Sequence, residues 1–256
     1  MDLTNIIKTM EIEDYSTLPP PVPGIGPVVA LEAGFFDAGS VVCFSSEYVI
    51  NVQQKKDVLN STMLSQLAAN KGYNRFTDPS DWCAYYRKVA SQIGWVTQSF
   101  KPFERYVSFP GKFKISDVVI DIFSEVLKID EDEKKALKDT IKSIEKSKSA
   151  LALFESNSIK GNRGNFQILT CTVDKNQQVS VLLLGCYFQS TEIKDNYFFT
   201  ERKKEDIALQ TSAEVSVLNQ EVYDQVREEV NQKLGNRVKF FISNISLWMD
   251  LVQTKS

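Results

Sequence analysis

Residues 165–188 read Asn165-Phe166-Gln167-Ile168-Leu169-Thr170-Cys171-Thr172-Val173, then Asp174-Lys175-Asn176-Gln177-Gln178, then Val179-Ser180-Val181-Leu182-Leu183-Leu184-Gly185-Cys186-Tyr187-Phe188. Two β-rich runs flank five polar residues, so the stretch predicts two strands, 165–173 and 179–188, joined by a turn. The second strand is apolar on both faces from Val181 to Leu184, which places it inside a sheet rather than at its rim. A turn symmetric about Asn176 sets Cys171 opposite Val181 and Cys186 opposite Phe166. The two thiols then point to opposite sides of the sheet, which forbids a disulfide.

Working toward the C-terminus, residues 196–200 predict a third strand and Glu201 to Asp206 a charged turn. Residues 207–217 alternate: Ile207, Leu209, Ala213, Val215 and Val217 on one side, Gln210, Ser212, Glu214 and Ser216 on the other. That is the pattern of a half-buried strand with its polar side wet. The strands form an antiparallel meander. Asn219 caps a final helix with Val222, Tyr223, Val226 and Val230 inward and Gly235 just past its end. The apolar tail, 238–252, reads as a strand or a docked helix.

Toward the N-terminus the period changes at Gly161-Asn162-Arg163-Gly164-Asn165. This loop runs from helix to strand, the reverse of a phosphate loop, and reads as a connector. Before it, residues 53–156 predict about four helices. The first carries Leu59, Met63 and Leu67 on one stripe, with Gly72 at its end. The second opens at Asp78-Pro79 and turns Trp82, Tyr85, Tyr86, Val89 and Ile93 inward, with Gly94 as its stop. A third begins at Ser116 or Asp117. The fourth opens with an Asp130/Glu133 capping box and has a lysine-rich outer face. Ser143-Ile144-Glu145-Lys146 on that face matches the SxxK pattern of serine acyl enzymes by chance, because no companion motif exists. Residues 28–52 are β-branched and predict one or two strands. Five of the eight prolines fall between Leu18 and Pro27 and make an extended spacer.

The predicted fold is therefore α+β: a helical layer over residues 53–156, packed on a C-terminal antiparallel β-meander with a final helix. Residues 1–27 are an N-terminal arm with the Pro-rich spacer, and 28–256 a single domain.

Composition narrows the function. The chain has no histidine, which removes Ser-His-Asp triads, Cys-His dyads and most zinc or iron sites. Cys43, Cys83, Cys171 and Cys186 fit neither a zinc spacing nor a disulfide framework, and read as buried thiols. No catalytic, cofactor-binding or metal site is predicted; the expectation is no cofactor and no enzyme. A net charge of -3 argues against gripping nucleic acid, which demands a basic excess. Residues 1–15 show no signal sequence, and no apolar run spans a bilayer as a helix, so a cytoplasmic location is expected, with signal-free export left open.

Aromatic residues crowd residues 82–113. Trp95, Phe100, Phe103, Tyr106 and Phe109 form the candidate interaction surface; the last four recur every three residues, with Lys101 and Arg105 interleaved. An extended chain of three residues per turn aligns those four on one face, as a stacking platform or as anchors to the helical layer.

Two functions follow. The first is a non-enzymatic, self-associating structural or partner-binding protein, resting on absent catalytic signatures, the apolar tail and residues 207–217 as an edge strand. Its partner is another copy of the chain. The alternative is a soluble protein that acts on membranes. Helices packed with long amphipathic antiparallel strands are similar to the architecture of small cytolytic pore formers such as the Cyt insecticidal crystal toxins, a likeness covering no motif. Pore formation requires alternating strands of about 9–11 residues, which 207–217 satisfy.

Overall fold

The 165–188 hairpin forms as its sequence dictates. Asp174 Oδ1 accepts hydrogen bonds from the backbone N–H groups of Asn176 (2.8 Å) and Gln178 (2.9 Å), closing the turn. The flanking strands are β6 (Arg163–Val173) and β7 (Val179–Ser190). Their register pairs Cys171 with Val181 and Phe166 with Cys186, so the two thiols lie on opposite faces.

The computed structural model describes residues 2–14, 34–45, 50–108, 110–191, 196–238 and 242–244. The main sheet runs β10-β1-β2-β6-β7-β9-β3. Here β1 is Gly34–Asp37, β2 Ser40–Phe44, β3 Trp95–Arg105, β9 Ile207–Leu218 and β10 Ile242–Asn244. All its neighbours are antiparallel except β2 and β6, which are parallel, and a short β5 (Ile159–Lys160) hangs on β6. A second ribbon pairs β4 (Lys112–Phe113) with β8 (Arg202–Lys203).

The α+β class and the central position of β7 are as the sequence predicts. The helical block divides, however. Its five helices are α2 (Val52–Gly72), α3 (Pro79–Gln92), α4 (Ile115–Asp121), α5 (Glu131–Lys146) and α6 (Lys148–Ser158). α2 and α3 cover one sheet face with α7 (Gln220–Leu234) and α1 (Leu3–Thr9), whose Ile7 is buried in that core. α4, α5 and α6 cover the other. We call these face A and face B.

Capping accounts for several helix boundaries. Asp130 and Glu133 form a reciprocal box on α5, and Glu133 also accepts from Thr170 Oγ1 on β6 at 3.2 Å, fastening the helix start to the sheet. Asn219 caps α7 and Gly235 follows it at φ +51°. Gly94 after α3 adopts φ +106°, a conformation glycine takes without strain. Asp78 sits at the cap of α3, but it accepts from Thr77 Oγ1 (2.7 Å) and makes no cap bond.

Three sequence expectations are corrected. Residues 196–200 form a turn, not a strand; Tyr197, Phe198 and Phe199 are buried there as plugs on face B. β9 is not an edge, since it pairs with β7 on one side and β3 on the other. Among the described residues the edge on this side is β3, with β10 at the other end of the sheet; β3 is a β-strand where three-residue periodicity suggested a different extended chain. The Pro-rich spacer, Val28, Val29, Tyr48, Val49 and most of the 238–252 tail lie outside the described residues.

Candidate functional site

The predicted aromatic row is split by β3. Register shifts separate Thr97 from Ser99 and Lys101 from Glu104, which breaks simple alternation along the strand. Trp95, Phe100 and Phe103 all pack toward face A. Trp95 Nε1 donates to Ser61 Oγ on α2 at 3.0 Å. The Phe100 ring lies 3.5 Å from the Arg87 guanidinium carbon. Phe103 lies over Gly185, where an added Cβ would sit 3.3 Å from its ring. Tyr106 packs against the face B core, its N–H donating to Leu209 O at 2.9 Å. Phe109 is outside the described residues. Three of the five are thus brought together and the fourth is sent to the other side.

Beneath this row lies a feature the sequence does not reveal. Ser212, Glu214 and Ser216 of β9 are buried, while Ala213, Val215 and Val217 on the opposite side are only partly so. The strand is inverted along this half: its polar side faces the α2–α3 layer. Glu214 Oε2 accepts from Arg87 Nε on α3 at 2.8 Å. Its Oε1 accepts from Thr97 Oγ1 (2.7 Å) and Ser216 Oγ (2.6 Å). Burial pushes the Cys83 thiol on α3 up to about 11 and raises the Tyr86 phenol. The space between is a cavity of about 20 Å³, room for no more than a single water.

The polar layer continues along α2. Ser61, Thr62, Ser65 and Gln66 are buried together with the predicted Leu59, Met63 and Leu67 stripe, because α2 is enclosed by α3, α7 and the sheet at once. Gln66 Nε2 donates to Asp37 O (2.8 Å) and its Oε1 accepts from Gly39 N (3.0 Å). Asp37 is fully buried, and neither carboxylate oxygen has a hydrogen-bond partner among the described residues. Desolvation alone raises its pKa well above 3.8, so the carboxyl is favoured in its neutral form.

Face B differs at the same strands. Leu182, Ala213, Val215 and Val217 are half-buried there and Val96 of β3 is 45% exposed. They form an apolar patch at the end of the sheet that α4–α6 leave open. Val96 pairs with Val217 and Leu182 with Val215.

Chemistry at these places is limited. No group of three or more Cys, Asp or Glu among the described residues is placed to hold a metal ion. Ser143 Oγ donates to the Asp139 carbonyl on the outer side of α5. No described helix is long and apolar enough to cross a membrane.

No protein-family model matches the chain, and no curated protein matches it. Among solved structures it is similar to a delta-endotoxin (15% identity, TM-score 0.44, 78% of this chain and 88% of that one). It is also similar to the Evf virulence factor (11% identity, TM-score 0.41, 96% and 92%). A third is the activated Cyt2Ba monomer from Bacillus thuringiensis subsp. israelensis (10% identity, TM-score 0.42, 69% and 94%). These values transfer no residue role and no activity to this chain.

Proposed function

We propose that the protein acts on membranes, holding in its soluble form a sheet whose strands are arranged for a second environment. The inverted burial of β9 carries this reading. In water a half-buried strand hides its apolar side; here Ser212, Glu214 and Ser216 are hidden and Val215 and Val217 are partly open. In a lipid-embedded sheet the same alternation is correct, with the apolar side toward acyl chains and the polar side toward water.

Strand length supports it. β6-β7-β9-β3 are consecutive antiparallel neighbours of 11, 12, 12 and 11 residues. At about 3.3 Å per residue and a tilt of about 45°, such strands cover roughly 26–28 Å, matching an apolar band of about 25 Å. Face B of these strands presents Phe166, Ile168, Leu184, Phe188 and Leu209 beside the open patch. Four strands are too few for a barrel, which needs about eight or more, so the membrane form requires several copies. Self-association enters as part of this reading. In the soluble form the β3 edge is blunted by Lys101, Pro102 and two register shifts, devices that oppose strand addition. No catalytic role is proposed.

The test is dye release from liposomes by wild-type protein and by Val215→Arg. In water position 215 is half-exposed and the variant keeps its fold. In lipid an arginine near the midplane costs about 2–4 kcal/mol per copy. Release by wild type with loss in the variant is expected. Intact liposomes with wild type, or equal release by both, would overturn the reading.

A further inference from the structure

We infer that the cleft where the α2–α3 turn meets the β1–β2 turn is a binding site for a phosphate-type oxyanion. The cleft has a volume of about 580 Å³, within the range of about 300–1,000 Å³ typical of small-ligand sites. Arg75 lines it and is 7% exposed. Its guanidinium carbon lies 4.8 Å from the Trp82 ring, and Nη2 donates to Asn165 Oδ1 at 3.4 Å. Asn165 in turn donates to the Arg75 carbonyl at 2.6 Å, fixing the residue at both ends. Among the described residues the buried Nε has no hydrogen-bond partner and no carboxylate forms an ion pair with Arg75.

Gly39 makes this placement possible: a Cβ there would overlap the guanidinium. The fold thus gives up a side chain in a tight turn to seat a buried cation that Glu13 influences through space but that makes no direct ion pair among the described residues. A buried unpaired charge costs several kcal/mol, which an anion bound beside it offsets. Burial holds the Arg75 pKa down to about 10, so the group is cationic at neutral pH.

The remainder of the lining fits the same ligand. Lys71 and Lys160 are exposed cations on the wall, against the single carboxylate of Glu13. Glu13 Oε2 is engaged by Asn70 Nδ2 at 2.8 Å, and Asn70 Oδ1 by Trp82 Nε1 at 2.7 Å. A guanidinium fork with flanking ammonium groups is suited to phosphate oxygens. A soluble phosphorylated compound and a lipid headgroup offer the same phosphate chemistry, and the experiment below separates them.

The experiment is thermal melting of the full chain with inorganic phosphate, against sodium chloride at matched ionic strength. Phosphate is expected to raise the Tm beyond chloride. Lys71→Glu with Lys160→Glu, both on the surface, should leave the unliganded Tm unchanged and weaken phosphate binding roughly tenfold or more. Arg75→Lys keeps the charge, loses the fork and should weaken binding too. No phosphate-specific shift, or an equal shift in the Lys71/Lys160 variant, overturns the site. Flotation with phosphatidic acid vesicles but not phosphatidylcholine vesicles, reversed by free phosphate, assigns the ligand to a headgroup. Phosphate binding without flotation assigns it to a soluble compound. Val215→Arg should retain phosphate binding, so this inference and the membrane reading fail separately.

Discussion

Both faces of the sheet are covered by helices, but by different chemistry. On face B, Phe154, Phe166 and Phe198 meet edge to face with centroids 5.0–5.5 Å apart, and Tyr197 stacks on Phe188 at 4.3 Å. On face A the contact between α2–α3 and the sheet combines an apolar core, with Leu59, Met63, Trp82, Leu169 and Leu183 buried, and the polar groups Glu214, Arg87, Ser61, Thr62, Gln66 and Asp37. Apolar packing strengthens with area and needs no partner geometry. A buried polar contact returns little beyond what water offers the separated groups. The α4–α6 layer is therefore held by apolar and aromatic packing, and the α2–α3 layer by apolar packing together with polar contacts whose separation water can reward.

The comparison breaks first at Phe166. Replacing it by alanine removes a ring from the aromatic cluster and should cost about 3–5 kcal/mol, read by denaturant unfolding. A cost below about 1 kcal/mol would mean that the aromatic cluster is not what holds the face B layer. Next is Arg87→Gln, which leaves the buried Glu214 carboxylate without its cation. A loss of about 1–3 kcal/mol is expected, since Arg87 is partly exposed. Adding Glu214→Leu should recover most of it, because an apolar pair replaces an ion pair at little cost. Failure of that rescue would show that the ion pair is the fastening itself.

The smallest effect is Asp37→Asn. A carboxyl whose folded pKa is raised contributes stability that is full below its ordinary 3.8. That contribution declines as pH rises toward the folded value and is flat above it. The variant should be more stable than wild type at neutral pH, and the gap should close in acid. Melting both proteins across pH checks this, and a gap that widens in acid reverses the assignment.

The hairpin, the caps at Asn219 and Asp130, and the alternation of 207–217 were all legible, because each rests on local rules. The direction in which β9 faces was not. Alternation defines two sides, and only α2 and α3, more than a hundred residues earlier, decide which side is covered. Tyr197-Phe198-Phe199 resembled a strand because its composition is that of one; its role as a plug comes from Phe188 and Phe154 beneath it. β3 was hidden by Pro102 and by aromatics at three-residue spacing, which two register shifts reconcile with a β-strand. The cleft around Arg75 left no trace either, since its parts come from 39, 71–76, 157–160 and 165.

The cysteines divide between the same two layers. Cys83 and Cys171 sit in the core under α2–α3, and Cys43 and Cys186 in the core under α4–α6. All four are free and buried, and burial raises every thiol pKa, to about 12 for Cys43 and about 11 for Cys83. Each is shielded from an alkylating reagent while its layer stays shut. The chain thus carries its own pair of clocks: as the molecule opens, the order in which thiols become alkylated records which side parted first, without a label or an added residue.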